Sequence, residues 1–181
     1  MGSLATFSLL VLQAQAQDNG YYVGLDIGNT EADLSAKAPS IGYNTSSEDD
    51  GGSQTLKVGK YIDENSRVAV FYQNVNADDA DVGILGVGYD YLIGDAPLKP
   101  FIGAFLGYGS YDVESVDVDI SGIVYGIQAG VNYEINTNFS AEAGYRIMKS
   151  NMEDSIDVLG HTLTFEIEDI RNWYIGLNYK F

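Results

Sequence analysis

The closing residues Trp173-Tyr174-Ile175-Gly176-Leu177-Asn178-Tyr179-Lys180-Phe181 alternate large apolar side chains with small or polar ones. Successive side chains of an extended strand point to opposite faces. Trp173, Ile175, Leu177, Tyr179 and Phe181 therefore share one face, and Tyr174, Gly176, Asn178 and Lys180 the other. The first face suits hydrocarbon and the second suits water. At ~3.3 Å per residue and a tilt of ~40°, the stretch covers roughly 20 Å of membrane normal, close to the ~25 Å apolar band of a transmembrane β-barrel.

The same two-residue period predicts seven earlier strands, at about 21–30, 54–62, 67–73, 82–91, 101–111, 120–134 and 139–147. In the fourth, Leu85, Val87, Tyr89 and Tyr91 oppose Gly86, Gly88 and Asp90. In the seventh, Phe139, Ala141, Ala143, Tyr145 and Ile147 oppose Glu142, Gly144 and Arg146. The third has the least distinct faces, with Val68, Val70 and Tyr72 against Ala69, Phe71 and Gln73. Connections alternate in length. Asp63-Glu64-Asn65-Ser66, the 94–100 stretch and Asn136-Thr137-Asn138 are short, whereas 31–53, 74–81, 112–119 and 148–168 read as long polar loops. Short turns at one end and long loops at the other predict a closed, all-β, eight-stranded antiparallel up-and-down transmembrane barrel with the short turns periplasmic. Closure leaves no unpaired backbone edge in lipid.

Composition agrees in what it permits and excludes. Mean hydropathy is -0.07, yet only every second residue of such a barrel meets lipid, so bulk hydropathy carries little information. No run of apolar residues is long enough for a spanning helix. A net charge of -17 with nine Lys and Arg argues against nucleic-acid binding. Without cysteine, disulfides and thiolate metal sites are ruled out. A soluble barrel with its apolar face inward would bury the bulky residues and expose charged ones; tyrosine-rich rims opposite a glycine-lined face argue otherwise. Residues 1–16 read as a secretory signal, with an apolar Leu4–Leu12 core and the small-x-small pattern Ala14-Gln15-Ala16, although Met1-Gly2-Ser3 lacks the usual positive charge. The barrel domain then covers 17–181.

In this order, Tyr22-Val23-Gly24, Pro100-Phe101-Ile102-Gly103-Ala104, Tyr145-Arg146 and Tyr179-Lys180-Phe181 make the chain resemble the eight-stranded outer-membrane β-barrel family, which includes the barrel domain of outer membrane protein A and the small protein X type. The resemblance implies a bacterial outer-membrane location. It also implies that Phe181, with Tyr179, Leu177 and Ile175 at alternating positions before it, forms the signal read by the barrel assembly machinery. Cell-wall anchoring, the property of a separate domain in larger relatives, is not carried over.

Several candidate sites follow. Asp26, Lys57, Asp90, Glu142, Arg146 and Lys180 fall on the inward faces and are expected to fill the lumen with ion pairs, because an eight-stranded barrel is only wide enough for side chains. The alternative is a narrow pore in which those pairs line water. Tyr21, Tyr89, Tyr91, Tyr108, Tyr125, Tyr133, Trp173 and Tyr179 are expected to form the aromatic girdle. The loop acids, including Glu48-Asp49-Asp50, Asp78, Asp79, Asp81, Asp112 and Asp119, suggest contacts with extracellular ligands, or divalent cations shared with lipopolysaccharide. Asp117-Val118-Asp119-Ile120-Ser121-Gly122 begins like a calcium loop, but Gln128 stands at its twelfth position where a bidentate Glu belongs, and strand rim is the better reading. His161 is the one histidine and the single handle for lipid A-modifying catalysis, so no enzyme, cofactor or metal site is assigned. The expected role is structural or surface-interactive: a monomer among outer-membrane lipid and lipopolysaccharide.

Overall fold

The computed structural model describes residues 20–38, 43–77, 80–112, 119–150, 153–158 and 161–181, with side chains described over 20–31, 50–76, 82–110, 121–150 and 170–181. The expected leader, 1–16, lies outside the described residues.

Among the described residues nine strands follow one another: β1 Tyr21–Ala38, β2 Tyr43–Tyr61, β3 Ser66–Ala77, β4 Ala80–Leu92, β5 Leu98–Asp112, β6 Asp119–Glu134, β7 Phe139–Ser150, β8 Glu153–Val158 and β9 His161–Lys180. From β1 to β7 each pairs antiparallel with the next, β9 pairs with both β7 and β8, and β1 closes on β9. Nine elements make only eight staves. Lys149 of β7 pairs with Asp169 of β9, and Glu153 of β8 pairs with Glu166, so β8 takes up the line along β9 where β7 leaves off.

Following the register once around, Tyr21–Lys60–Val68–Tyr89–Ala104–Ile127–Ile147–Arg171 returns to β1 at Glu31, ten residues beyond its start. Eight strands with that shear give a tilt of about 40° and a backbone radius of about 8 Å, which leaves room for side chains and little else.

The short turns have local causes. Asp63 Oδ1 accepts a hydrogen bond from the Asn65 amide at 2.8 Å, and Asn136 Oδ1 accepts from the amides of Asn138 and Phe139, both at 2.9 Å. Such side-chain caps replace the ladder where the chain reverses.

Of the stretches read as long loops, 31–53, 74–81 and 148–168 are largely strand, and 113–118 lie outside the described residues. β1 and β2 stay in register up to Ala38 opposite Tyr43, β3 and β4 up to Ala77 opposite Ala80, and β5 and β6 up to Asp112 opposite Asp119. Above the bilayer both faces of a hairpin meet water, so the pairing persists while the apolar alternation that betrays it stops.

The inward face uses one packing device repeatedly. Tyr22 lies directly across from Gly59, Phe71 from Gly86, Phe101 from Gly130, Phe105 from Gly126 and Tyr174 from Gly144. A Cβ at Gly144 would stand 2.6 Å from Tyr174 Cζ, and one at Gly130 would stand 2.8 Å from Phe101 Cζ. The glycines let the rings lie flat against the opposite strand.

Candidate functional site

Because every inward residue of a tilted stave aims at the axis, charges far apart in the chain converge at one level. Arg146 donates to Asp26 Oδ2 at 2.9 Å, to Gln128 Oε1 at 2.8 Å and to Thr55 Oγ1 at 3.2 Å. Lys57 Nζ forms ion pairs with Asp26 at 2.8 Å and Glu142 at 2.5 Å. Arg67 reaches Asp90 and Glu142, each at 2.9 Å, Asn178 donates to Glu142 at 2.8 Å, and Gln128 donates to Asp90. Asp26, Lys57, Asp90, Glu142 and Arg146 thus come together in one network. Three cations meet three anions, so this tier is neutral inside a chain of net charge -17.

Aromatic rings seal it. The Arg146 guanidinium stands 4.0 Å from the Tyr174 ring centroid, and Arg67 lies 5.6 Å from Tyr22 and 5.2 Å from Phe101. A buried charge is tolerable only when paired; each of the six has an opposite charge at 2.9 Å or less, while Arg67 Nη1 has no hydrogen-bond partner.

Arg67 is the residue that sequence reasoning missed. It is 1% exposed and bonds to two of the three carboxylates. Its two-residue spacing from Ala69, Phe71 and Gln73 marks it as inward, but it opens the strand whose faces are least distinct. Lys180 is the opposite case: it stands away from the network, at the mouth near the short turns, with Nζ 5.7 Å from the Tyr61 ring. That mouth encloses about 500 Å³ among Tyr61, Asp63, Lys99, Glu134, Asn138 and Lys180, and Lys99 pairs there with Glu134 at 2.9 Å.

A second tier lies toward the long-hairpin end. Ile84, Phe105, Val124, Met148 and Ile170 form a buried apolar cluster, with Phe71 and Val82 packed against it. Beside it Asn172 donates to Thr30 at 2.8 Å and Ser53 at 2.7 Å. A hydrated ion moving along the axis would meet this apolar layer and then the paired charges.

Tyr21, Tyr89, Tyr91, Tyr108, Tyr125, Tyr133 and Tyr179, together with Trp173, the residues expected to form a girdle, all face outward, as do Tyr72, Phe139 and Tyr145. Ile175, Leu177, Tyr179 and Phe181 share that face, with the Tyr179 ring tilted against Phe139 at 4.9 Å and edge-to-face with Phe181 at 5.1 Å. Leu85, Val87 and Ile127 lie there too, 58%, 55% and 62% exposed, so the bulky half of each strand points away from the interior. His161 pairs with Val158 at the tip of the β8–β9 hairpin, and its side chain lies outside the described residues, as do those of Glu48, Asp49, Asp81, Asp112 and Asp119. Asp78, Asp79 and Asp117-Val118 are not among the described residues. The register nevertheless sets Asp81 opposite Asp112 and Asp112 opposite Asp119. Among the described residues, no group of three or more His, Asp or Glu is placed to hold a metal.

The chain resembles known proteins along most of its length. It is 28% identical over 167 residues to an uncharacterized protein of Haemophilus influenzae, a match covering 80% of this chain and 87% of that one. Neisserial surface protein A superposes with a TM-score of 0.64 at 24% identity, over 90% of this chain and 97% of the other. The outer membrane protein OprG of Pseudomonas aeruginosa gives a TM-score of 0.64 at 16% identity, over 92% and 98%. The family model for the outer membrane protein beta-barrel domain matches residues 2–181; the chain belongs to that family and is a bacterial outer-membrane β-barrel protein.

Proposed function

We propose that this protein is a sealed, non-enzymatic barrel with a structural or surface-interaction role in the outer membrane, carried by the hairpins that extend past the bilayer. The observation behind this reading is the filled lumen: an apolar cluster, with Asn172 bonded to Thr30 and Ser53 beside it, is stacked on a neutral tier of paired charges, and all of these residues are more than nine-tenths buried. Dry apolar constrictions oppose ion passage, and paired charges bind no mobile counter-ion. The expected result in planar bilayers is no reproducible conductance; stable single-channel steps abolished by Glu142→Ala would establish the pore instead. For the surface role, removing 34–47 trims the β1–β2 hairpin while sparing the plug. A strain carrying the trimmed form should behave like the deletion strain in outer-membrane integrity and attachment assays, and full complementation would refute the reading. Lipid A modification through His161 is the competing enzyme, and mass spectrometry of lipid A with and without the gene separates the two. Assembly belongs to the same proposal: removing Phe181 should lower the yield of heat-modifiable barrel in the membrane.

Divalent cations shared with lipopolysaccharide form a second reading, supported by the row Asp81–Asp112–Asp119. Like charges directly opposite on adjacent strands repel unless neutralised. Chelator should lower the melting temperature, and Asp112→Asn should remove that dependence; a chelator-insensitive wild type rules it out.

A further inference from the structure

Among the described residues the cations lie either inside the barrel or its mouth, or on the outer wall toward one of its ends. Lys57, Arg67, Lys99 and Arg146 are buried in the interior. Lys60, Lys149 and Arg171 face outward. Lys149 and Arg171 stand near the long hairpins, each opposite an acid in the register, Asp169 and Glu31 respectively. Lys60 differs. It lies at the short-turn edge between Tyr21 and Val68, its ammonium 4.8 Å from the Tyr21 ring centroid, and it meets no carboxylate among the described residues.

Lys60 also stands at the foot of a groove. A trough of about 700 Å³ runs up the outer wall over β2 to β5, lined by Val58, Val68, Val70, Val87 and Ala104 and bounded by Tyr21, Tyr89 and Leu106. Short side chains on neighbouring staves form its floor, and the longer tyrosines and Leu106 form its walls. By the register and tilt, Leu106 stands roughly 15 Å above Lys60 along the barrel axis, about half of the ~30 Å hydrocarbon thickness. The trough is therefore one leaflet deep, apolar along its length and positively charged at its polar end.

From this arrangement we infer that the β2–β5 wall holds a specific site for one anionic glycerophospholipid of the periplasmic leaflet, with an acyl chain in the valine trough and its phosphate on Lys60. The Tyr21 ring holds the ammonium at headgroup level, where a lysine stem lies along apolar surface and its charge reaches the interface. With no protein carboxylate to neutralise it, a lipid phosphate is the complementary charge.

The test adds phosphatidylglycerol or phosphatidylethanolamine to the folded protein in zwitterionic detergent and counts retained lipid by native mass spectrometry. Phosphatidylglycerol should be retained about fivefold more than phosphatidylethanolamine, the factor expected of one interfacial cation. Lys60→Gln should erase that preference, and Lys149→Gln should leave it intact. Ala104→Trp, which fills the trough, should abolish retention of both lipids; Val87→Phe serves the same purpose if the tryptophan variant fails the heat-modifiable gel shift. Equal retention of the two lipids by the wild type, an undiminished preference in Lys60→Gln, or wild-type retention in the trough-filling variant would each overturn the inference.

Discussion

The two tiers of the lumen fill the same cylinder by opposite means. Toward the long hairpins, Ile84, Val124, Met148 and Ile170 pack by shape, and any apolar set of similar volume would occupy that space. Below them, six charges hold one another in a pattern where each group has particular partners and none can be removed alone. The contrast teaches that sealing and specifying are separable tasks. The apolar tier excludes water cheaply, while the charged tier ties β1, β2, β3, β4 and β7 together across the axis and resists slippage of any one stave.

Removing one charge should have the largest effect. Glu142→Ala leaves Lys57 and Arg67 without their shared carboxylate and should destabilise the barrel by about 3–5 kcal/mol, measured by urea unfolding in micelles. A cost as small as that of the one-methylene change Ile84→Val would erase the distinction between the tiers. Next comes the glycine supporting the charged tier from the wall. Gly144→Ala drives a Cβ into the Tyr174 ring that covers Arg146, and should cost about 1–3 kcal/mol by the same assay. In the apolar tier, Ile84→Val removes one methylene and should cost about 0.5–1.5 kcal/mol. The finest test is coupling. Arg67→Ala and Glu142→Ala should be non-additive by about 0.5–3 kcal/mol, because the two share a contact, whereas Ile84→Val and Glu142→Ala should add to within about 0.5 kcal/mol. Coupling across the tiers as large as coupling within the charged tier would mean that the plug is one unit.

Much of this fold is legible in the chain because lipid imposes a simple test on every second residue. Leu85, Val87, Ile127, Ile175 and Leu177 declare their direction by bulk and apolarity alone, and the capped turns at Asp63–Asn65 and Asn136–Asn138 declare the reversals. Legibility fails where that test lapses. Arg67 heads a strand whose two faces are both mainly apolar, so its direction rests on spacing alone. The upper arms of β1 and β2 run past the stretch in which apolar residues alternate, so nothing in their residue types separates paired strand from loop. β8 is hidden in the same way. Lys180 has the correct parity for the lumen, but it sits at the last rung, where the wall ends and the interior becomes an open mouth.

The sequence by itself determined which way most membrane-spanning side chains turn, how many staves there are and which end carries the short turns, because these depend on neighbours one or two residues away. Which charge meets which was decided only by closure. Lys57 and Glu142 are 85 positions apart, and no local pattern relates them. They meet because eight staves with a shear of ten residues bring β2 and β7 to one level across an axis about 8 Å from each wall, a condition that belongs to the whole ring and to no segment of it.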